Sequence, residues 1–463
     1  MCDYILVVDF GSTFSKFTLI NKTQAKLSAV YSYPTTQSST IMDGYQIGRD
    51  HILAQVGFDE QRDRLENYFC SSAWGGFKMV IIGFTSDLTQ KAAQAAALGS
   101  GTRIVGSYFY HLIVDDMADI QALAPDAVLL TGGTDGGNQQ FVLEVGQLLA
   151  DQLDTIDVIY AGNKNAQSAI QDIFASSSCH LYLADNVMPA VNEIAVDSVR
   201  QLARSIFMEK ILKSNGLDQV AQLSNRPIIP TPTAVLQATE LWGKNHQKHA
   251  DDGALVIDIG GATTDVHSFG KGTPSQLEVF YEGMLEPELK RTVEGDIGMR
   301  ESAGSLVDQL GWDKLLLDLP EFNGMPDLER AIKDRLENST YIPKDSRQDK
   351  LDRNLAAFAM DTAVKRHVGR IRKLASHTYH QTGKDMRAFE SVIATGGVLV
   401  HSPYRDQLLD HCFNQEECQD LRPYGPNIWI DNDYILSALG VIAPIYPELA
   451  QKLMNQHLVM SRP

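Results

Sequence analysis

Two near-repeats, 249 positions apart, constrain this chain more than any other feature in it. They read Val7-Val8-Asp9-Phe10-Gly11-Ser12-Thr13 and Val256-Ile257-Asp258-Ile259-Gly260-Gly261-Ala262-Thr263. Each is an apolar strand ending in aspartate, then glycine, then hydroxyl residues, and each runs directly into another strand. Connections this short make antiparallel hairpins, because parallel neighbours need a crossover of many residues. Glycine lets such a bend approach an anion with no Cβ in the way, and consecutive N–H groups in it form a concave donor set for phosphate oxygens. Hydroxyls on Ser12, Thr13, Thr263 and Thr264 can add donors. Asp9 and Asp258 can orient water on Mg²⁺ or a catalytic water, since hard cations prefer oxygen. Either motif alone is equally well a plain turn; the pair points to a shared task. Lys16 can reach a phosphate or can be a solvated strand lysine.

The remaining pattern divides the chain. Residues 4–9, 14–21 and 26–33 read as a three-stranded meander. From Phe77 the reading is strand 77–84, helix 87–98, strand 102–110, helix 116–123, strand 127–130, helix 141–149, strand 157–160, helix 165–174 and strand 180–183. That alternation predicts an α/β segment with a mostly parallel sheet. An amphipathic helix is expected over 193–212, and another starting near Thr233. The second meander takes 254–259, 264–269 and 275–281; residues 299–376 are charged and helical; 391–395 is a buried strand ending at Gly396-Gly397; a late helix covers 433–441.

A length of 463 residues predicts at least two domains. The net charge of −18 repels duplexes and anionic membranes, so neither nucleic acid nor membrane is an expected partner. The strongest basic patch, Lys365-Arg366-His367 with Arg370, Arg372 and Lys373, reads as a solvated helix face. Five cysteines without a CxxC pair imply no disulfide framework and no zinc or iron–sulfur knuckle. The N-terminus has no leader pattern and no apolar run is long enough to span a bilayer, so a cytoplasmic location is expected.

The paired motifs resemble the two phosphate loops of the actin, sugar-kinase and heat-shock-chaperone ATPases, and Val392-Ile393-Ala394-Thr395-Gly396-Gly397 resembles their adenosine loop. The resemblance implies a two-lobed, actin-like (ribonuclease-H-like) α/β fold with mixed sheets, flanking helices and insertions. It makes Asp9, Gly11, Ser12 and Thr13 the first phosphate loop, Asp258, Gly260, Gly261, Thr263, Thr264 and Asp265 the second, and Gly396 and Gly397 adenosine contacts. ATP and Mg²⁺ are the implied cofactors, with Asp9 and Asp258 holding the metal through water and serving catalysis. The expected first lobe is 1–76 with 120–245, carrying an α/β insertion at 77–119; the second is 246–299 with 377–463, and 300–376 is a helical insertion or lid. Gly295-Asp296-Ile297-Gly298 is expected to open a helix.

Over nearly its whole length the chain also resembles the MutL-type accessory proteins of adenosylcobalamin-dependent glutamate (methylaspartate) mutase. The family-specific runs are Leu130-Thr131-Gly132-Gly133-Thr134-Asp135-Gly136-Gly137 and Glu294-Gly295-Asp296-Ile297-Gly298-Met299-Arg300, with Gly76-Phe77-Lys78-Met79-Val80 in support. This implies an ATP-dependent reactivating chaperone whose partners are nucleotide and the mutase subunits, with mutase contact near 85–120 or 300–376 and no tightly bound cobalamin. The alternatives are a small-molecule kinase of the same superfamily and a non-catalytic, ATP-dependent assembly scaffold. One departure stands out. Where the chaperones carry glutamate before Pro-Thr-Ala, this chain has Thr231 before Pro232-Thr233-Ala234, which predicts slow hydrolysis. Thr131 to Gly137 reads more readily as a strand-to-helix connection than as an anion site. Asp265-Val266-His267-Ser268-Phe269-Gly270 matches the DxHxxG string of cobalamin domains, but it sits inside a phosphate hairpin, which argues against cobalt ligation by His267.

Overall fold

The computed structural model describes residues 2–11, 14–35, 40–72, 77–84, 102–110, 112–191, 193–212, 217–274, 278–283, 285–338, 340–375, 378–413 and 419–462. The chain forms two compact units, one of residues 1–72 with 219–463 and one of 73–218.

The larger unit opens with β1 (Asp3–Phe10), β2 (Phe14–Asn21), β3 (Lys26–Pro34), α1 (Ile41–Val56) and β4 (Arg64–Ser71). The smaller unit follows as β5 (Phe77–Gly83), β6 (Thr102–Phe109), α2 (Val114–Ala122), β7 (Ala127–Leu130), α3 (Gln140–Gln152), β8 (Asp157–Tyr160), α4 (Gln167–Phe174), β9 (His180–Leu183) and α5 (Asp197–Leu212). Its sheet has the order β6-β5-β7-β8-β9 and is parallel throughout. Short, wholly apolar strands such as Ala127–Leu130 suit a sheet buried on both faces.

The larger unit resumes with β10 (Ile229–Pro230), α6 (Thr231–His246), β11 (Ala254–Ile259), β12 (Thr264–Phe269), β13 (Val279–Tyr281) and β14 (Leu289–Glu294). Helices α7 (Ala303–Leu310), α8 (Trp312–Asp318), α9 (Met325–Glu337) and α10 (Ser346–His367) come next. The chain ends with β15 (Arg370–Ala375), β16 (Thr378–Thr382), β17 (Ser391–Thr395), α11 (Gly397–His401), β18 (Asn427–Asp431), α12 (Leu436–Ile442), α13 (Pro447–His457) and β19 (Leu458–Arg462).

One design appears twice in this unit. The orders β3-β2-β1-β4-β10 and β14-β12-β11-β17-β18 match strand for strand, with β19 added to the second sheet. In each, the first three strands are an antiparallel meander, and the fourth and fifth run parallel to the first. A helix follows each fifth strand: α6 after β10 and α12 after β18. This is the two-lobed, actin-like ATPase fold. Strand β11 is apolar on both faces because both are covered. Leu255, Ile257 and Ile259 pack with residues of α10, while Ala254 and Val256 join Ala234 and Trp242 of α6 and Leu439 of α12.

Several expectations change. The third strand of the second meander is β14, not 275–281; Val279–Tyr281 instead pairs with β16 in a separate three-stranded sheet. Strands β7, β8 and β9 share a sheet with β5 and β6, so 120–183 belongs with the expected insertion and not with the first lobe. The segment 300–376 is more than a lid, since α10 buries Leu351, Leu355, Ala359, Met360 and Ala363 in the core under the second sheet. The basic run is not one helix face: α10 ends at His367, which is buried, and Arg370 to Lys373 lie on β15. Helix α5 starts at Asp197, four residues later than expected; before it, the Ala195 N–H donates to the Val187 carbonyl. The expected helix at 87–98 lies outside the described residues.

Helices α6 and α12 touch at Gly440, where an added Cβ would stand 1.8 Å from the Ala234 carbonyl oxygen. Gly440→Ala must therefore separate them. The expected loss is about 1–3 kcal/mol, the cost of overpacking a core, read as a lower midpoint in denaturant unfolding. Gly57→Ala has open space around it, and its cost comes from backbone conformation alone.

Candidate nucleotide site

The first bend is closed by Gly11, whose N–H donates to the carbonyls of Asp9 and Phe14, each at 3.1 Å. A Cβ on Gly11 would lie 2.6 Å from the Phe14 carbonyl oxygen, so the bend requires glycine. Ser12 and Thr13 lie outside the described residues. The Asp9 carboxylate is buried and doubly held: Oδ1 accepts from the Thr231 hydroxyl (2.5 Å) and Oδ2 from the Ser437 hydroxyl (2.9 Å). Asp9 thus ties β1 to the first residue of α6 and to α12. Pro232 is tolerated beside it because the first turn of a helix needs no N–H there.

The second bend is braced from behind. Gly260 N–H donates to the Thr263 carbonyl at 2.8 Å. The carbonyls of Gly260, Gly261 and Ala262 accept, respectively, from Met299 N–H (3.0 Å), Arg300 N–H (2.7 Å) and the Ser302 hydroxyl (2.8 Å). Among the described residues, the N–H groups of Gly261, Ala262 and Thr263 meet no acceptor. Carbonyls held on one side and unpaired amides on the other are the arrangement that an anion cradle requires. Gly298 permits the brace, since a Cβ there would be 2.3 Å from the Ala262 carbonyl carbon. The run 295–298 therefore folds across the loop; it does not open a helix, and α7 begins only at Ala303. Arg300 is itself anchored, its guanidinium donating to Asp352 of α10 at 2.8 Å, and Asp352 also accepts from Arg335 of α9 at 2.7 Å.

Cross-strand register places Lys16 opposite Asp9 and Asp265 opposite Asp258. The Lys16 ammonium lies 4.7 Å above the Tyr434 ring centroid. Burial pushes the Asp258 carboxyl up to about 6; Asp9 and Asp431 add to the rise, and Lys16 and Arg291 oppose it. Burial likewise lifts Asp265 to about 7, against the pull of Arg291, whose guanidinium is 3.8 Å away. Asp431 ends β18 and is also raised by burial. It accepts from the Thr395 hydroxyl and from the N–H groups of Ile435 and Leu436, so it fixes the entry to α12. Gly396 has φ +100°, and a Cβ on it would stand 2.3 Å from the Ile259 carbonyl oxygen, directly before the second bend. Gly397 lies beside the Tyr434 hydroxyl.

Most of the residues expected at the site thus converge. Thr264 does not: its hydroxyl is buried on the opposite face of β12 and donates to the Ile297 carbonyl at 2.7 Å, so it supports the loop and leaves anion contact to the backbone. His267 is wholly buried in β12, and among the described residues neither ring nitrogen has a hydrogen-bond partner; that burial keeps it from reaching a corrin. The Thr131 to Gly137 run is a turn pinned by asparagines from the following loops. Asn163 and Asn165 accept from the Gly136 N–H, and Asn186 donates to Gly133 and Asp135. The sequence reading missed Ser437, Asp431 and Tyr434. Asp431 carried a signal, an apolar strand ending in aspartate, like the two openings.

A family model described as MutL protein matches residues 5–458. The chain belongs to the MutL family. Protein MutL of Clostridium tetanomorphum is 37% identical to it over 462 residues, covering 99% of each chain. Among solved structures, nucleotide-free acetone carboxylase has a TM-score of 0.42 at 13% identity, over 96% of this chain and 70% of that one. Gluconate kinase from Lactobacillus acidophilus has a TM-score of 0.36 at 12% identity, over 100% and 93%. Plasmodium falciparum glycerol kinase with ADP has a TM-score of 0.35 at 10% identity, over 97% and 90%. In this MutL-family chain the run 294–300 carries part of the brace of the second bend, and 130–137 forms the turn after β7.

Gly298→Ala should displace the second bend while leaving both sheets folded. We expect ATP affinity in the presence of magnesium to fall by about tenfold or more, the loss of well-aligned hydrogen bonds to a charged group, in titration calorimetry with an unchanged circular-dichroism spectrum.

Proposed function

We propose that this protein binds ATP between the bends at Gly11 and Gly260-Gly261 and acts as a reactivating factor for adenosylcobalamin-dependent glutamate mutase. The observation that carries the nucleotide reading is the second bend, whose carbonyls are all held from behind while its amides stay open beside Asp258. Membership of the MutL family supports the mutase as the partner.

The donor set fits magnesium. Asp9, Asp265 and Asp431 lie near Asp258, with Lys16 and Arg291 as the nearby cations, and among the described residues the buried Asp265 Oδ1 has no hydrogen-bond partner. Among the described residues no three His, Cys, Asp or Glu side chains are grouped to hold an ion directly; in this proposal the ion is held through water and phosphate. Asp9 and Asp258 would hold it, and when bound it would neutralise phosphate charge. The chain's own groups do the rest. The amides of Gly261, Ala262 and Thr263 receive phosphate oxygens, and Lys16 supplies a positive charge from β2. Gly396 and Gly397 leave room for adenosine. Thr231 donates to Asp9 and cannot take a proton from water, so hydrolysis is slow. The nucleotide then works chiefly through binding. Contacts with phosphate from both sheets favour one arrangement of the two lobes, and the mutase binds the two arrangements unequally. Driving a damaged mutase from about 1:99 to 99:1 in a form that releases cobalamin requires roughly 5.5 kcal/mol of differential binding.

The decisive experiment measures ATP turnover with and without oxygen-inactivated glutamate mutase, then cobalamin release and recovered mutase activity. Recovery that needs ATP and is lost in Asp9→Asn is the expected result. Calorimetry with no heat from ATP and magnesium would remove the nucleotide reading. Heat without any effect on the mutase would remove the partner, and ADP release stimulated by a sugar or amino acid would mark a kinase instead.

A further inference from the structure

We infer that Tyr434 is a positioning residue that holds the Lys16 ammonium away from the phosphate position until nucleotide enters, an inference that rests on the ATP reading above. Three observations place Tyr434 in this role. Its ring lies beneath the Lys16 ammonium, 4.7 Å from centroid to nitrogen, so β2 of the first sheet is joined to the segment between β18 and α12 of the second. Its backbone has φ +55°, in the left-handed region, which a bulky aromatic rarely adopts without something holding it there. What holds it is Asp431: the Tyr434 N–H donates to the Asp431 carbonyl at 3.2 Å, and the next two N–H groups donate to the Asp431 carboxylate at 2.9 and 3.0 Å. Finally, the ring hydroxyl approaches Gly397 of the adenosine loop, 3.5 Å from where a Cβ would be, and His401 of α11 stands 5.7 Å away, centroid to centroid. One side chain therefore borders both the lysine expected to meet phosphate and the glycines expected to meet adenosine.

The physical consequence is a competition. The ring face attracts the ammonium electrostatically, and Asp258 and Asp431 lie close enough to add to the local negative field. A triphosphate offers Lys16 a stronger partner, so Lys16 leaves the ring on binding and the cation–π contact is given up. Removing the ring removes that cost. A nucleotide too short to reach Lys16 recovers nothing. The effect is therefore specific to the phosphate chain, which a purely structural role for Tyr434 would not produce.

The test is calorimetric titration of the full-length protein with Mg·ATP and with AMP, in wild type, Tyr434→Ala, Lys16→Ala and the double variant. The expected result is a two- to fivefold tighter Kd for ATP in Y434A, matching the strength of an exposed cation–π contact. AMP affinity should be unchanged, and the ATP effect should vanish in the Lys16→Ala background. Weaker ATP binding in Y434A would make the ring a nucleotide contact and overturn the inference. So would an unchanged Kd, or an equal effect with Lys16 absent. If Y434A does not fold, Tyr434→Leu fills the space without a π face and should tighten ATP likewise, whereas Tyr434→Phe keeps the face and should match wild type; the reverse pattern overturns the inference. A wild type that binds no ATP would instead defeat the nucleotide reading itself.

Discussion

Three strands end in carboxylates that the fold draws toward one another, and the rest of the larger unit is arranged so that this is tolerable. Asp9 is held by two hydroxyls, Asp431 by a hydroxyl and two amides, and Asp265 by a buried guanidinium. Among the described residues Asp258 has no such close donor, and it is one of the two whose carboxyls are lifted furthest. Buried anions without enough compensation leave a negative field, and that field is what a hydrated divalent cation relieves.

The duplication explains how one design yields two different half-sites. Asp9 and Asp258 occupy matching places at the ends of first strands, yet the residue across the ladder is Lys16 in one half and Asp265 in the other. The first half therefore sets a cation beside its strand-end aspartate, and the second sets a further carboxylate there. The bends differ too. Gly11 turns on its own hairpin carbonyls, while Gly260 to Ala262 depend on a brace supplied by 298–302. Through Arg300 and Asp352 that brace reaches α9 and α10, so the helices packed under the second sheet are joined to the second bend by a buried ion network.

Much of this was legible beforehand because it is local. A hairpin with a glycine bend is encoded by a few adjacent residues, and β2, β11, β12 and β17 fall at the expected residues. The alternating pattern of the smaller unit was equally plain, since short apolar strands between amphipathic helices leave little choice of fold class. The third strand of the second meander was misplaced because Val279–Tyr281 and Leu289–Glu294 are both credible strands, and only pairing with β12 separates them.

The sequence by itself determined the two bends, their aspartates, the glycine pair that ends β17 and the family. All of these depend on backbone conformation and on residue order over a handful of positions. Tertiary structure alone decided that Thr231 and Ser437 grip Asp9, that Thr264 turns away from the cleft, that 298–302 buttresses the second bend, and that Tyr434 sits under Lys16. These are contacts between residues separated by up to 428 positions. No local propensity records such contacts, because they arise only when the two sheets and their crossing helices are packed together.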